Sequence, residues 1–205
     1  MRPAGPAASG PQGESEPADI GGRGRGASEK RLERGLIQVY TGAGKGKTTA
    51  ALGLALRAAG WGLKVDIIQF IKGRGITGEV RGIEPLEPRV TITQFGTGRF
   101  ILKDEPGDVE KELARRALQR ATDDFLNGDY DIVILDEVSH AVNKGMITLA
   151  ELLRLIEKKP DHVELVLTGR DMPSEVVEAA DLVTEMVAVK HPYEEGVGAR
   201  KGIEY

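Results

Sequence analysis

The run Thr41-Gly42-Ala43-Gly44-Lys45-Gly46-Lys47-Thr48-Thr49 lies between an apolar stretch, Leu36–Tyr40, and a helix-like stretch, Ala50–Ala59. A strand, a glycine-rich turn and a helix in that order form a nest for phosphate. Backbone N–H groups of the turn and the positive end of the helix then face a polyphosphate. In this pattern Lys47 supplies a point charge to the phosphates, and the Thr48 hydroxyl is a ligand for Mg²⁺. The spacing departs from the usual one at one point. A glycine normally stands five residues before the Gly-Lys pair, where this chain has Thr41, and the nearest glycine, Gly42, shortens the loop by one residue. Threonine is strained wherever φ is positive and glycine is not, so a tighter nest is expected.

The rest of the chain is consistent with one α/β domain around that turn. Short β-branched runs predict strands at Ile37–Tyr40, Lys64–Phe70, Val90–Phe95, Asp131–Leu135, Glu164–Leu167 and Leu182–Ala188. Helices are predicted at Thr48–Ala59, Asp108–Leu126, Leu149–Lys158 and Ser174–Ala180, with Asn127-Gly128 stopping the second. Several strands are apolar almost throughout, as in a sheet covered on both faces. The alternation predicts a doubly wound, mostly parallel sheet over residues 35–205. Ligands of such sheets bind beyond the carboxyl ends of the strands, where the glycine-rich turn lies. Residues 1–34, rich in Gly, Pro, Ala and charge, read as a disordered or partly helical extension. Its Arg23, Arg25, Lys30, Arg31 and Arg34 either meet a phosphate or belong to a solvated tail.

A formal net charge of −4 argues against a general nucleic-acid binder. The chain has no cysteine, which excludes thiolate chemistry and disulfides. No apolar stretch is long enough to span a bilayer, and the N-terminus lacks the apolar segment of a signal peptide, so a cytoplasmic protein is expected. His140, His162 and His191 have no partner pattern that suggests catalysis.

Ile132-Val133-Ile134-Leu135-Asp136-Glu137 is an apolar strand ending in two acids. Two acids after a strand also suit a helix N-cap or a solvated turn; after a phosphate loop, carboxylates at a strand tip hold Mg²⁺ directly or through water. If the strand continues through them, Asp136 and Glu137 point to opposite sides. Thr168-Gly169-Arg170-Asp171 ends another strand at the same sheet edge. Arg170 there either grips a triphosphate or belongs to a structural Arg–Asp turn. Arg57, nine residues past Thr48, either reaches back to a phosphate or packs on the surface. Two segments expected to be irregular, Ile71–Pro88 and Gly96–Gly107, flank the edge.

In these residues the chain resembles the P-loop class of ATP:corrinoid adenosyltransferases. The resemblance is carried by Thr41 to Thr49, Gln69-Phe70-Ile71-Lys72-Gly73, Gly78-Glu79, Gly96-Thr97-Gly98 and Leu135-Asp136-Glu137. It continues through Leu167 to Asp171, Ala180 to Met186, Lys190-His191-Pro192 and Lys201-Gly202-Ile203-Glu204, and so spans about residues 36–205. It implies a P-loop NTPase (RecA-like) architecture and a reaction in adenosylcobalamin biosynthesis or salvage. Co(I) of the corrinoid attacks the ribose C5′ of ATP, the triphosphate leaves whole, and the nucleotide resembles one bound in reverse. The resemblance assigns catalysis to Lys47, Thr48 and Arg170 and phosphate binding to the loop with Arg57. It assigns Mg²⁺ or Mn²⁺ to Thr48, Asp136 and Glu137. It further implies an electron donor such as a flavoprotein, and a homodimer in which an N-terminal segment covers the partner's site.

Many relatives follow Gly-Thr-Gly with Phe-Thr-Trp, whose aromatics strip the lower axial ligand from cobalt. This chain has Arg99, Phe100 and Ile101 there, which makes Phe100 and Ile101 the candidates for corrinoid contact. A RecA-like ATPase with Glu137 activating water is the alternative reading. A corrinoid-retaining chaperone with little turnover is another.

Overall fold

The computed structural model describes residues 32–73, 75, 77–98 and 106–205. Among them six strands form one sheet: β1 (Ile37–Thr41), β2 (Val65–Gly73), β3 (Val90–Gly96), β4 (Ile132–Asp136), β5 (Glu164–Thr168) and β6 (Leu182–Glu185). The spatial order is β3-β2-β4-β5-β1-β6, and every neighbouring pair is parallel. The helices are α1 (Lys47–Gly60), α2 (Gly78–Ile83), α3 (Asp108–Asn127), α4 (Val138–Asn143), α5 (Leu149–Glu157) and α6 (Ser174–Ala179).

Side chains alternate across a strand, and here the alternation divides the core in two. Ile68, Phe70, Val133, Leu135, Leu165 and Leu167 pack with Ala114, Ala117, Ala121 and Phe125 of α3 and Leu152, Leu155 and Ile156 of α5. Val65, Ile67, Val90, Ile132, Ile134 and Val166 pack against Ala51, Ala55, Ala58 and Ala59 of α1. All of β4 and β5 is buried, as continuous apolar runs require when both faces are covered. Gly128, at φ 65°, ends α3 at the expected place. The Thr148–Glu151 capping box starts α5.

Three differences from the sequence reading bear on the site. The segment after Ile71 is partly regular: β2 runs on to Gly73, and α2 and a 3-10 turn at Glu84–Leu86 follow. The last strand is short, ending at Glu185 instead of Ala188, and is exposed along its whole length at the sheet edge. Just beyond it, Met186 bonds to both Thr41 of β1 and Gly44 of the phosphate loop. The expectation for residues 1–34 falls mostly outside the described residues, and Leu32–Arg34 are not helical.

Candidate active site at the carboxyl edge of the sheet

Thr41 is the last residue of β1, so the positive-φ positions fall on Gly42 (95°) and Gly46 (121°). Its extended conformation removes the strain that a threonine in the turn would carry. The Thr41 carbonyl accepts from the Met186 N–H at 2.9 Å, and its hydroxyl accepts from the Met172 N–H at 3.3 Å. The Met186 carbonyl in turn accepts from the Gly44 N–H at 2.6 Å. A Cβ on Gly42 would lie 2.5 Å from that carbonyl oxygen, so only glycine fits. The shortened loop is therefore backed by the chain that follows β6.

Lys47 is buried, and its Nζ donates to the carbonyls of Gly42 (2.7 Å) and Gly44 (2.8 Å). Burial lowers its pKa below the usual lysine value, and the nearby Arg170 guanidinium lowers it further. Gly46 offers no side-chain cap to α1, and the first N–H groups of a helix have no intrahelical acceptor. The loop thus presents N–H donors and a cation whose charge is costly until an anion arrives.

Asp136, 1 % exposed, organises the floor beside the loop. Its Oδ1 accepts from the hydroxyls of Thr48 and Thr168, both at 2.8 Å, and its Oδ2 from Gln69 Nε2 at 3.0 Å. Strand β4 stops at Asp136, and Glu137 adopts a left-handed conformation (φ 62°) as the N-cap of α4. The continuing-strand geometry therefore does not occur. A left-handed non-glycine residue costs free energy, and here the Glu137 N–H is held by Thr168 Oγ1 at 2.9 Å. Burial raises the Glu137 pKa, with the Asp136 carboxylate adding to it, against the opposing charges of Lys47, Lys72 and Arg170.

Arg170 follows β5. Its carbonyl accepts from Ser139 Oγ at 2.6 Å, and Asn143 Nδ2 donates to the Asp171 carbonyl at 2.9 Å, so the turn is structurally fixed to α4. The Arg170 side chain meanwhile lines the cavity, and no ion pair among the described residues neutralises it.

These elements enclose a cavity of about 480 Å³, within the size range of small-molecule sites. Of the candidate site residues, Gly44 to Thr49, Glu137 and Arg170 line it. Thr41, Gly42, Ala43 and the buried Asp136 are not among its lining residues. Arg57 is exposed in the last turn of α1, about 14 Å along the axis from Thr48, and is not brought to the cavity. Phe100 and Ile101 lie outside the described residues.

The sequence reading assigned no role to several residues that the fold brings here. Lys72, ion-paired with Glu79, lines the cavity, as do Leu52, Gly78, His191 and Gly202–Tyr205. Gln69 and Thr168 hold Asp136 from below. Lys72, Glu79 and Gln69 lay inside motifs that carried the resemblance, but a motif match alone does not say which way a side chain points.

No group of three His, Cys, Asp or Glu side chains that could hold a metal occurs among the described residues. Mg²⁺ does not need one, since it is usually held by one or two carboxylates together with phosphates and water. The Thr48 hydroxyl, Asp136 and Glu137 fit that requirement for Mg²⁺ or Mn²⁺.

Comparison with known proteins bears on this geometry. The profile of the ATP:corrinoid adenosyltransferase family BtuR/CobO/CobP matches residues 33–205. The chain is 37% identical over 179 residues to a corrinoid adenosyltransferase of Pseudomonas aeruginosa, covering 87% of each. It is 38% identical over 173 residues to one of Escherichia coli K12, covering 84% of this chain and 87% of the other. It is 36% identical over 178 residues to the corrinoid adenosyltransferase CobA of Salmonella typhimurium, covering 87% and 89%. A similar solved structure is the flagellar accessory protein FlaH of Methanocaldococcus jannaschii, with a TM-score of 0.50 at 11% identity, covering 75% and 72%. That likeness concerns the α/β fold alone. With the match running from just before β1 through the tail that lines the cavity, the chain belongs to the ATP:corrinoid adenosyltransferase family.

Proposed function

We propose that this protein transfers the 5′-deoxyadenosyl group of ATP to Co(I) of a corrinoid and releases triphosphate, in adenosylcobalamin biosynthesis or salvage. The observation that carries the reading is the phosphate loop backed by Met186, with Lys47 and Arg170, neither ion-paired among the described residues, at one cavity, in a chain of this family. In the step itself, the Co(I) electron pair forms the bond to C5′, and the C5′–O bond breaks with its pair going to the triphosphate. No side chain has to act as nucleophile or base, which agrees with a chain that lacks cysteine.

The protein's contribution is then orientation and charge stabilisation. Lys47, the N–H groups at the start of α1 and Arg170 would hold the triphosphate and receive the charge that builds on it. Thr48, Asp136 and Glu137 would hold Mg²⁺ or Mn²⁺, which when bound offsets phosphate charge. Thr168 and Gln69 would keep the Asp136 carboxylate oriented if the Thr48 hydroxyl left it for an ion. A homodimer, a flavoprotein electron donor and a cytoplasmic location belong to the same proposal. Among the described residues no helix is long and apolar enough to cross a membrane.

The test is anaerobic incubation with chemically reduced cobalamin, ATP and Mg²⁺, followed by optical spectra and phosphate analysis. Adenosylcobalamin with equimolar triphosphate is expected. ADP and phosphate without a cobalt–carbon product would move the chain to the ATPase reading.

A further inference from the structure

The chain after Arg200 folds back over the phosphate loop as a closed turn. The Arg200 carbonyl accepts from the N–H groups of Ile203 (3.2 Å) and Glu204 (2.9 Å), and the Gly202 N–H donates to the Tyr205 carbonyl at 2.7 Å. The Glu204 carboxylate accepts from the Arg200 backbone N–H at 2.7 Å, and from its Nε and Nη2 at 3.2 and 3.1 Å. The turn touches both sides of the cavity. On one side Lys45 Nζ donates to the Ile203 carbonyl at 2.9 Å. On the other, Gly78 at the start of α2 faces the Tyr205 backbone, where a Cβ would lie 3.5 Å from the carbonyl carbon. Lys45 is thus engaged by the tail, although it belongs to the phosphate loop.

The cavity lining also divides by chemistry. Lys47, Thr48, Glu137 and Arg170 suit a polyphosphate and its ion. Leu52, Gly78, Ile203 and Tyr205 offer an uncharged surface, beside Glu204 and the Lys72–Glu79 pair. Leu52 lies one turn beyond Thr48 on α1, about 6 Å further from the loop. Ile203 and Tyr205 remain 55% and 53% exposed, so their side chains have apolar area still to bury. A nucleoside triphosphate has the same division, with a charged tail and a flat base that gains from apolar and aromatic contact.

We propose that the 202–205 turn, with Leu52, is the nucleoside subsite: it positions the base and ribose of ATP while the loop holds the triphosphate. The inference rests on the functional reading above and adds to it the residues that distinguish ATP from bare triphosphate. Ile203 and Tyr205 are positioning residues, since the reacting atoms are C5′ and cobalt.

The test is calorimetric titration of the full chain with Mg-ATP and, separately, with Mg-triphosphate, for wild type, Tyr205→Ala and Ile203→Ser. Both side chains are half exposed, so the variants are expected to melt like wild type. ATP affinity is expected to fall about tenfold or more and triphosphate affinity to change less than about twofold. In the transfer assay KM for ATP rises while kcat at saturation holds. Equal losses for the two ligands would overturn the subsite, because the turn would then act on the phosphates. Unchanged ATP affinity in both variants would overturn it as well. A wild-type protein that binds neither ligand would overturn the phosphate-loop reading, a failure distinguishable from that of the subsite alone.

Discussion

Two buried aspartates on adjacent strands are satisfied in opposite ways. Asp66, near the amino end of β2, is fully buried, and its carboxylate accepts from Thr91 Oγ1 and from Arg120 Nε at 2.9 Å. Arg120 also reaches Asp124 at 3.2 Å and donates to Tyr130 Oη at 3.0 Å. The charge is closed within the fold and joins α3 to β2. Asp136, at the carboxyl end of β4, has donors that are all neutral: two hydroxyls and an amide. Lys47 and Arg170 line the cavity beside the loop and form no ion pair with Asp136. A buried charge without an ionic partner is costly. Where the sheet keeps such an arrangement, a ligand can complete it; where the sheet closes it, the residues serve stability.

The largest effect is expected at the cavity. Lys47→Ala is predicted to lower adenosyl transfer at least about a thousandfold, since on the proposed function it removes the buried cation that would receive charge from the triphosphate. Wild-type turnover by a folded variant would detach the loop from the triphosphate. The next prediction sets the two aspartates against each other. Asp136→Asn is expected to cost about a hundredfold in turnover with a small change in melting temperature. Asp66→Ala is expected to lose about 3–5 kcal/mol of stability in urea titrations while its folded fraction turns over normally. The reverse pattern would break the comparison.

Two smaller effects follow from proton binding. Glu137 has a raised pKa, so its ionised form is lost as pH falls while ordinary glutamates remain ionised. Transfer is predicted to decline on that acid side, and Glu137→Gln is predicted to be slower with the decline removed; an unchanged pH–rate profile would deny Glu137 a part in the site. Asp124 is raised from 3.8 to about 8 by burial and by the neighbouring Asp66 carboxyl. With the folded pKa above the unfolded one, the native state holds the extra proton. The stability it contributes is complete below 3.8 and is lost as pH rises toward about 8. Asp124→Asn is therefore expected to flatten the melting temperature across that range. A variant as pH-dependent as wild type would place the slope elsewhere.

How much of this was legible in the chain depended on whether the signal was local. The strand–turn–helix around Gly42–Thr49, the continuous apolar runs of β4 and β5 and the Asn127-Gly128 stop are contained in consecutive residues, so backbone sterics and apolar burial already decide them. Arg170 was legible as a candidate because strand ends in such folds share an edge. Arg57 was misleading for a geometric reason: nine residues along a helix place it about two and a half turns of rise from Thr48 and on the opposite face. The helix at Val138–Asn143 was hidden because its start is a left-handed glutamate, which no propensity suggests.

From consecutive residues alone came the sheet's composition, the phosphate loop and the two acids at the end of β4, because alternation, glycine content and capping act over one or two turns of chain. The tertiary structure decided the rest. Met186 closing the shortened loop, Thr168 and Gln69 orienting Asp136, and the 202–205 turn crossing to Lys45 each join residues far apart in sequence. Their positions follow from strand order and packing, and no spacing along the chain encodes them.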